Sequence, residues 1–263
     1  MKKYYFIFKA TLIESFQYLL NILLGSVTFL IMLFVFISLW KYMYSNSTGL
    51  ISGYNVKQMI WYVILSETVW FVGRNATITS QMSMDIKSGS IAYSINKPYH
   101  YIYYIIAKHM GEIALRFLLY FIIGAIIGCC FIGGIPGFKL YRVPFAMLSF
   151  LLGLLISSSI SMSISILSFW IEDSRPFQWL YDKMIVVIGI LFPLELFPAW
   201  AQPVIKASPI YVVTYSPARL MINFDRIMLI KIFSAQILYL LGIFLILNVL
   251  FQKGVRKLNV NGG

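Results

Sequence analysis

Charged residues are scarce in this sequence: they make up 11% of its 263 residues, and only nine are acidic. Soluble domains carry about 25% charged residues, so a chain with this little charge cannot cover itself with polar surface in water. Hydrophobic residues make up 60% of the chain and mean hydropathy is +0.83. The composition therefore predicts an integral membrane protein.

Acidic residues are outnumbered by 21 lysines and arginines, which give a net charge of +12. Most of these cations flank apolar runs. There they are typical of topology signals and of contacts with lipid phosphates rather than with nucleic acid. We therefore expect membrane lipids, and no nucleic acid, among the partners.

Cysteine and histidine are also rare, with two of each. Cys129 and Cys130 are adjacent within an apolar run, which fits neither a disulfide framework nor metal spacing. His100 and His109 have no ligand partners at metal spacing and are interpreted as interfacial residues. The sequence lacks Gly-Lys-Ser and Gly-Lys-Thr, the core of the phosphate-binding loop for ATP. We expect no catalytic, cofactor or metal site in this chain.

Long apolar runs dominate what is present, and about 20 apolar residues suffice to cross a bilayer as a helix. They predict an all-α membrane protein, with residues 1–263 forming a single transmembrane domain. Residues 1–18 are predicted to form an interfacial amphipathic helix, with Phe8, Leu12, Phe16 and Leu19 on its apolar face. Six crossings are predicted, at about 20–42, 56–76, 112–133, 144–170, 178–196 and 230–251.

The distribution of basic residues predicts the orientation of these crossings. Thirteen of the 21 lysines and arginines fall on the side that holds both termini, against eight on the other. This bias places both termini in the cytoplasm of a cell-membrane protein. Residues 77–110 would then be cytoplasmic, and residues 193–225 would be external.

Prolines are concentrated in the external segment, which carries five of the nine in the chain. A single spanning helix could not hold them without kinking or breaking. The segment is still apolar, which favours short half-helices that dip back into the membrane and pack against protein.

Two polar features lie inside predicted crossings, and each has two interpretations. Glu67 lies near the middle of the second crossing, where an acid costs about 2.5–3.5 kcal/mol. It serves either in a translocation path or subunit seam, or in a structural hydrogen bond. In the fourth crossing, small residues recur at four-residue steps. This face is interpreted as tight packing, with a cargo-lining face as the alternative; its residues are Gly153, Ser157, Ser161 and Ser165.

The longest polar-leaning interval is residues 84–98, which contain a glycine break at Gly89 and a stop at Pro98. Its core reads Ile-Lys-Ser-Gly-Ser-Ile-Ala-Tyr-Ser-Ile-Asn-Lys-Pro from residue 86. This is similar to a signature of a poorly characterised subgroup of ABC-2-type ABC transporter permeases, with Ser90 in place of an acid and Ile95 in place of leucine. The order of the predicted elements also resembles that family over nearly the whole chain.

The resemblance implies half of an ATP-driven exporter, with two permease subunits, identical or related, on two separate ATPase subunits that bind ATP and Mg²⁺. The cargo would be amphipathic or hydrophobic: a peptide, a lipid-linked molecule or a drug. A cytoplasmic coupling helix at 80–97 would dock into the ATPase, with apolar anchors and with charges that set its register. The implied coupling residues are Met84, Asp85, Ile86, Lys87, Gly89, Ile91, Ile95, Lys97 and Pro98. The implied external gate residues are Pro193, Glu195, Pro198, Trp200 and Pro209.

Two other functions stay open at this point. A proton-coupled secondary carrier would use Glu67 as its proton site and would show inverted repeats. A membrane enzyme acting on lipid-linked substrates would need acids or histidines clustered at one interface, whereas the nine acids are scattered.

Overall fold

The computed structural model describes residues 2–45, 49–73 and 76–258. Between turns and loops, their regular secondary structure is helical, apart from one isolated bridge between Ile51 and Tyr54. The all-α prediction is confirmed for this part of the chain. The α-helices, in order, are α1 (Lys2–Gln17), α2 (Leu19–Ser45), α3 (Val56–Val72), α4 (Ala76–Lys87), α5 (Ile91–Ile95), α6 (Tyr101–Phe131), α7 (Arg142–Ile166), α8 (Arg175–Met184), α9 (Gln202–Lys206), α10 (Ser216–Ile222) and α11 (Arg226–Leu258).

Four of these helices are long and apolar enough to cross a membrane: α2, α6, α7 with its 3₁₀ extension to Phe169, and α11 to Lys257. They correspond to the predicted first, third, fourth and sixth crossings. The second crossing corresponds to α3, which has 17 residues, or about 26 Å at 1.5 Å per residue. Residues 74 and 75 of that predicted crossing lie outside the described part. The fifth corresponds to α8 and the π-helix that continues it over Ile185–Leu191. The six-crossing count stays a prediction.

Helix α3 is the centre of the main hydrophobic core. It begins with a capping box, in which the Asn55 side chain accepts from the Gln58 N–H and the Gln58 side chain accepts from the Asn55 N–H. Thirteen of its 17 side chains are buried, because α2, α6 and α10 surround it. The sequence of a helix enclosed in this way is apolar on all sides rather than amphipathic.

Helix α1 packs lengthwise on α6 through small side chains, and its position on the membrane stays a prediction. The side chains buried on α1 are Thr11 and Ser15, whereas Phe16 of the predicted apolar face is 56% exposed. The reason is Gly111 on α6, which lets the two backbones approach closely: an added Cβ there would lie 2.7 Å from the Phe8 carbonyl oxygen. Small side chains fit against such a contact and large ones do not.

The proline-rich segment is broken into short helices, as its composition predicts. A 3₁₀ turn at Leu194–Leu196 and the five-residue α9 precede a π-helix at Tyr211–Tyr215, which runs directly into α10. Pro217 lies inside this last helix without ending it. In the π-turn, the Ser216 N–H bonds to the Tyr211 carbonyl, five residues earlier. Pro217 lies two residues beyond the π-helix, in the first turn of α10, where a missing N–H is tolerated.

The described residues form two large hydrophobic clusters and a smaller third one around Tyr181, Ile185, Ile190 and Ile210. The first surrounds α3 and includes the buried helix 211–222. The second joins α4 and α5 to one end of α6, α7 and α11; its buried members are Ile78, Met82, Ile86, Ile91, Tyr101, Ile102, Ile105, Met162, Ile166, Phe169, Leu247 and Phe251. Helices α6 and α7 contribute to both clusters, so they connect the two ends of the molecule.

Candidate functional site

The predicted coupling interval forms a helix, a turn and a second short helix. Helix α4 ends at Lys87, and Gly89 adopts φ +72°, a left-handed conformation that favours glycine. The Ser88 hydroxyl donates to the Met84 carbonyl at 2.7 Å, which closes the last turn of α4. The predicted single helix at 80–97 is therefore two helices, and the glycine break lies where the sequence indicates.

Three isoleucines of the predicted coupling residues pack on the rest of the chain. Ile91 is completely buried and Ile86 nearly so, both in the second hydrophobic cluster, against which Ile95 also packs. Ile86 and Ile91 therefore offer little surface to a partner, because they lie on a face that packs on α6, α7 and α11, whereas Ile95 is half-buried.

Asp85 is also held within the chain. Its Oδ2 accepts from the Tyr101 hydroxyl at 2.7 Å, and its Oδ1 accepts from the Ser90 hydroxyl at 3.3 Å. Ser90, which stands where the family signature has an acid, thus bonds to the acid five residues earlier. These bonds fix the turn around Gly89 to the start of α6.

The outer surface of the interval carries Met84, 59% exposed, and Tyr93, 79% exposed. Lys87 lies beside them, with its Nζ 3.9 Å from Asp173 Oδ1. At the far end, the Pro98 carbonyl accepts from Lys3 Nζ at 2.5 Å, and Lys97 is exposed.

The loop between α7 and α8 packs against α4 through groups that the sequence did not single out. The hydroxyls of Ser83, Ser168 and Ser174 lie within 3.1 Å of one another. In the same loop, hydrogen bonds from the Arg175 side chain, at 2.9 and 3.0 Å, lower the pKa of Asp173 to about 2. The carboxylate is therefore ionised at neutral pH beside Lys87.

Glu67 is buried, with 2% of its surface exposed, in the middle of α3. Its Oε2 has no hydrogen-bond partner within the described part of the chain. The hydrogen-bond interpretation requires such a partner, and for this oxygen the structure supplies none. This lack of a partner concerns Oε2 alone, so both interpretations of Glu67, a path or seam and a structural hydrogen bond, stay open.

The small-residue face of α7 is packed inside the chain. The Gly153 position lies against the Val213 carbonyl, which an added Cβ would approach to 2.8 Å. Ser157 accepts from the Tyr181 hydroxyl at 3.4 Å, and Ser165 donates to the Ser161 carbonyl at 2.8 Å. Tight packing, the favoured interpretation, accounts for these contacts.

The predicted gate residues range from buried Pro193, through half-buried Glu195 and Pro209, to exposed Pro198 and Trp200. The Glu195 carboxylate accepts from the Tyr215 hydroxyl at 2.5 Å and lies 4.0 Å from Arg219 Nε. Arg219 in turn lies over the Tyr54 ring. Pro193 precedes the 3₁₀ turn, Pro209 begins the following helix, and Pro198 and Trp200 lie in the turn before α9, where Trp200 is 79% exposed.

Gln236 on α11 is a functional candidate that the sequence reasoning missed. It is completely buried, and its Nε2 donates to the Ser149 and Val212 carbonyls, each at 2.9 Å. The π-turn releases the Val212 carbonyl from its usual helical donor, and Gln236 replaces that donor. The available signal was an amide side chain within a largely apolar crossing.

The family is decided by comparison with known sequences. The profile of the family described as ABC-2 family transporter protein matches residues 29–262, nearly all of the chain. This chain belongs to the ABC-2 transporter family. No curated protein matches it significantly.

Membership in the ABC-2 family confirms the resemblance found in the sequence. The chain is a multi-pass membrane component of an ABC transporter, and this role implies an ABC ATPase as partner. Neither alternative, a proton-coupled carrier or a lipid enzyme, follows from this family.

Proposed function

We propose that this chain is the transmembrane subunit of an ATP-driven exporter. Two permease subunits, identical or related, act with two ATPase subunits that bind ATP and Mg²⁺. Both termini and the α4–α5 interval lie in the cytoplasm of the cell, and residues 193–225 form the external gate. The cargo is amphipathic or hydrophobic.

The observation that carries the proposal is the second hydrophobic cluster. It joins α4 and α5 to α6, α7 and α11, the same elements that extend to the other end of the bundle. Side chains inside a packed cluster move together, because protein interiors are close-packed. A push on the exposed face of α4–α5 would therefore act on three long helices at once.

The contact surface for the ATPase is the exposed face of the interval. Met84 and Tyr93 supply apolar area, and Lys87 supplies charge next to Asp173. Aromatic and methionine side chains are typical anchors of protein interfaces. Ile86, Ile91 and Ile95 contribute from the inside, by holding this face on the bundle.

The first experiment tests the turn. In the reconstituted complex, we expect Gly89→Pro to uncouple ATP hydrolysis from transport, because proline cannot adopt φ +72°. The matched control is Gly137→Pro, at a glycine with φ +66° in the turn between α6 and α7. Equal loss of transport in both variants, or normal transport with Gly89→Pro, would contradict the proposal.

A second experiment tests contact directly. Cysteine is placed at Tyr93 in a chain whose Cys129 and Cys130 are alanine, and a short cross-linker is added. We expect a product with the ATPase subunit from position 93 and none from Val204→Cys, 69% exposed in α9. The purified permease alone is expected to hydrolyse no ATP. A missing cross-linked product at position 93 would overturn the proposed contact with the ATPase. ATP hydrolysis by the purified permease would overturn its dependence on a separate ATPase subunit.

A further inference from the structure

A charged cavity of about 560 Å³ lies between α1, the start of α2 and α6. Four acidic or basic side chains line it: Glu14, Lys108, Glu112 and Arg116. The three on α6 are four residues apart, so they form one row with about 6 Å between steps. With two acids and two bases, the lining is neutral overall but strongly polar.

The two cations form no close ion pair, although Glu112, one helical turn from each, interacts with both electrostatically. The Oε2 of Glu112 also lies 3.8 Å from His109 Nδ1. Among the described residues, no carboxylate lies within 4.0 Å of the charged nitrogens of Lys108 or Arg116. Lys108 Nζ donates to the neutral Gln81 Oε1 at 3.1 Å. Both cations therefore keep capacity for an anionic group, and phosphate is a ligand that arginine and lysine favour.

The α1 wall offers acceptors rather than donors. The Thr11 hydroxyl donates to the Ile7 carbonyl at 3.0 Å, and the Ser15 hydroxyl donates to the Thr11 carbonyl at 2.8 Å. Because each proton is already used, the hydroxyl oxygens keep only their lone pairs for a ligand. Together with Glu14 and Glu112, they suit a group that carries several N–H donors.

The other end of the cavity is apolar and aromatic, with Ile22, Gly25, Phe71 and Tyr120 in its lining. Tyr120 lies one further four-residue step along α6 from Arg116. The cavity is therefore amphipathic: charged groups occupy one end, and hydrocarbon and aromatic rings occupy the other. A ligand that matches it has a compact zwitterionic head and an apolar tail.

We propose that this cavity binds a phospholipid whose headgroup carries a phosphate and a primary ammonium, such as phosphatidylethanolamine. Lys108 and Arg116 contact the phosphate, while Glu112 and Glu14 accept from the ammonium. Carboxylate and hydroxyl acceptors favour a primary ammonium, which donates hydrogen bonds, over the quaternary ammonium of choline, which is recognised by aromatic cages. The site lies outside the coupling contact and the gate, so it is an additional binding function.

The test measures lipid retention by native mass spectrometry. The purified protein is exchanged into vesicles of equal parts phosphatidylethanolamine, phosphatidylcholine and phosphatidylglycerol, then released into detergent. We expect phosphatidylethanolamine to be retained most. Arg116→Gln should lower its retention about tenfold, the effect of one charge-assisted hydrogen bond.

Glu112→Gln provides the sharper outcome, because it leaves the cavity with a net positive charge. We expect phosphatidylethanolamine retention to fall and phosphatidylglycerol retention to rise, and misfolding cannot produce such a gain. The controls Glu172→Gln and Lys253→Gln make the same charge changes at exposed positions away from the cavity. A profile unchanged by Glu112→Gln, or shifted equally by the controls, would overturn the proposal.

A competition experiment with a soluble headgroup compound tests whether binding requires the lipid tails. Glycerophosphoethanolamine, which has the head but no tails, should not displace the retained lipid at matched concentration. Displacement would overturn the assignment of the apolar end to lipid tails. None of these measurements needs an ATPase or a cargo, so their outcome is independent of the proposed exporter function.

Discussion

Replacing Gly111 by alanine tests the docking of α1 on α6. The added Cβ would lie 2.7 Å from the Phe8 carbonyl oxygen, 2.9 Å from Thr11 Cβ and 3.1 Å from the Leu12 nitrogen. Ordinary contacts lie at 3.4–4 Å, so α1 has to move away by about 0.5–1 Å. Two of the three atoms belong to backbone, which cannot change rotamer to make room.

The expected magnitude follows from two opposing effects. Overpacking of this kind costs about 1–3 kcal/mol, whereas alanine favours a helix over glycine by about 1 kcal/mol. Gly242 on α11 is the matched control, because nothing lies within 4 Å of its added Cβ. Comparison of the two variants cancels the helix preference, so Gly111→Ala should be less stable than Gly242→Ala by about 1–3 kcal/mol.

Thermal unfolding of both variants in the same detergent measures this difference. For a chain of this size, we expect a separation of several degrees, at about 2–4 °C per kcal/mol. Trypsin cleavage at Lys9, on the exposed side of α1, reports whether α1 detaches before the rest unfolds. Equal melting temperatures for the two variants would refute the close backbone contact.

Three further changes test other parts of the structure. Gln236→Leu removes two hydrogen bonds between helices and should destabilise the protein by about 1–3 kcal/mol in thermal unfolding, whereas Asn248→Leu, which removes a bond within α11, should cost less. Glu67→Met should raise the melting temperature, because it removes a buried oxygen without a partner, and unchanged transport in that variant would exclude a role in the path. The lowered pKa of Asp173 means that its stabilising effect is complete above its unfolded value of about 3.9 and is lost as pH falls through about 2. The melting-temperature difference between wild type and Asp173→Asn should therefore be constant from pH 8 to about pH 4, and a fall near pH 6 would contradict the assignment.

The sequence predicted best what depends on local composition. Each of the four long apolar runs forms a helix, because backbone polar groups in lipid have to be satisfied within the segment. The glycine break at Gly89 and the short helices around the prolines also follow from local backbone preference. The packed face at Gly153 and Ser157 follows from helical spacing.

The sequence was less informative about whether a given helix face packs against the chain itself or against a partner. The spacing of Ile91 and Ile95 shows that they share a helix face, but the same pattern suits a partner's groove and the chain's own bundle. On α1, Gly111 decides the contact, and it lies about 100 positions away in sequence. Such preferences come from tertiary packing, which a single-sequence pattern does not contain.

Pro217 shows a different limit, because the sequence predicts breaks around the prolines but not which proline a helix passes through. The helix continues because a π-turn precedes the proline and because Gln236 provides a donor for the freed Val212 carbonyl. That donor comes from another helix, so no local window of sequence could indicate it. The buried Gln236 amide and the continuous helix at 211–222 therefore depend on each other, because the amide satisfies the Val212 carbonyl that the π-turn leaves free.

Gln236 also suggests how the two ends of the molecule are connected. Helix α11 contributes Phe251 to the cluster around α4–α5, and Gln236 lies 15 residues earlier, about 22 Å along the same helix. Gln236 bonds to Val212, one helical turn from Tyr215, which donates to Glu195 of the proposed gate.

Spatial continuity alone does not establish energetic coupling between two sites. A double-mutant cycle with Gly89→Pro and Gln236→Leu measures it, with transport per ATP hydrolysed as the quantity. If α11 connects the two ends, the double variant loses little more than the worse single variant, because either change already breaks the connection. If the two losses multiply, the ends act independently, and the connection through α11 is wrong.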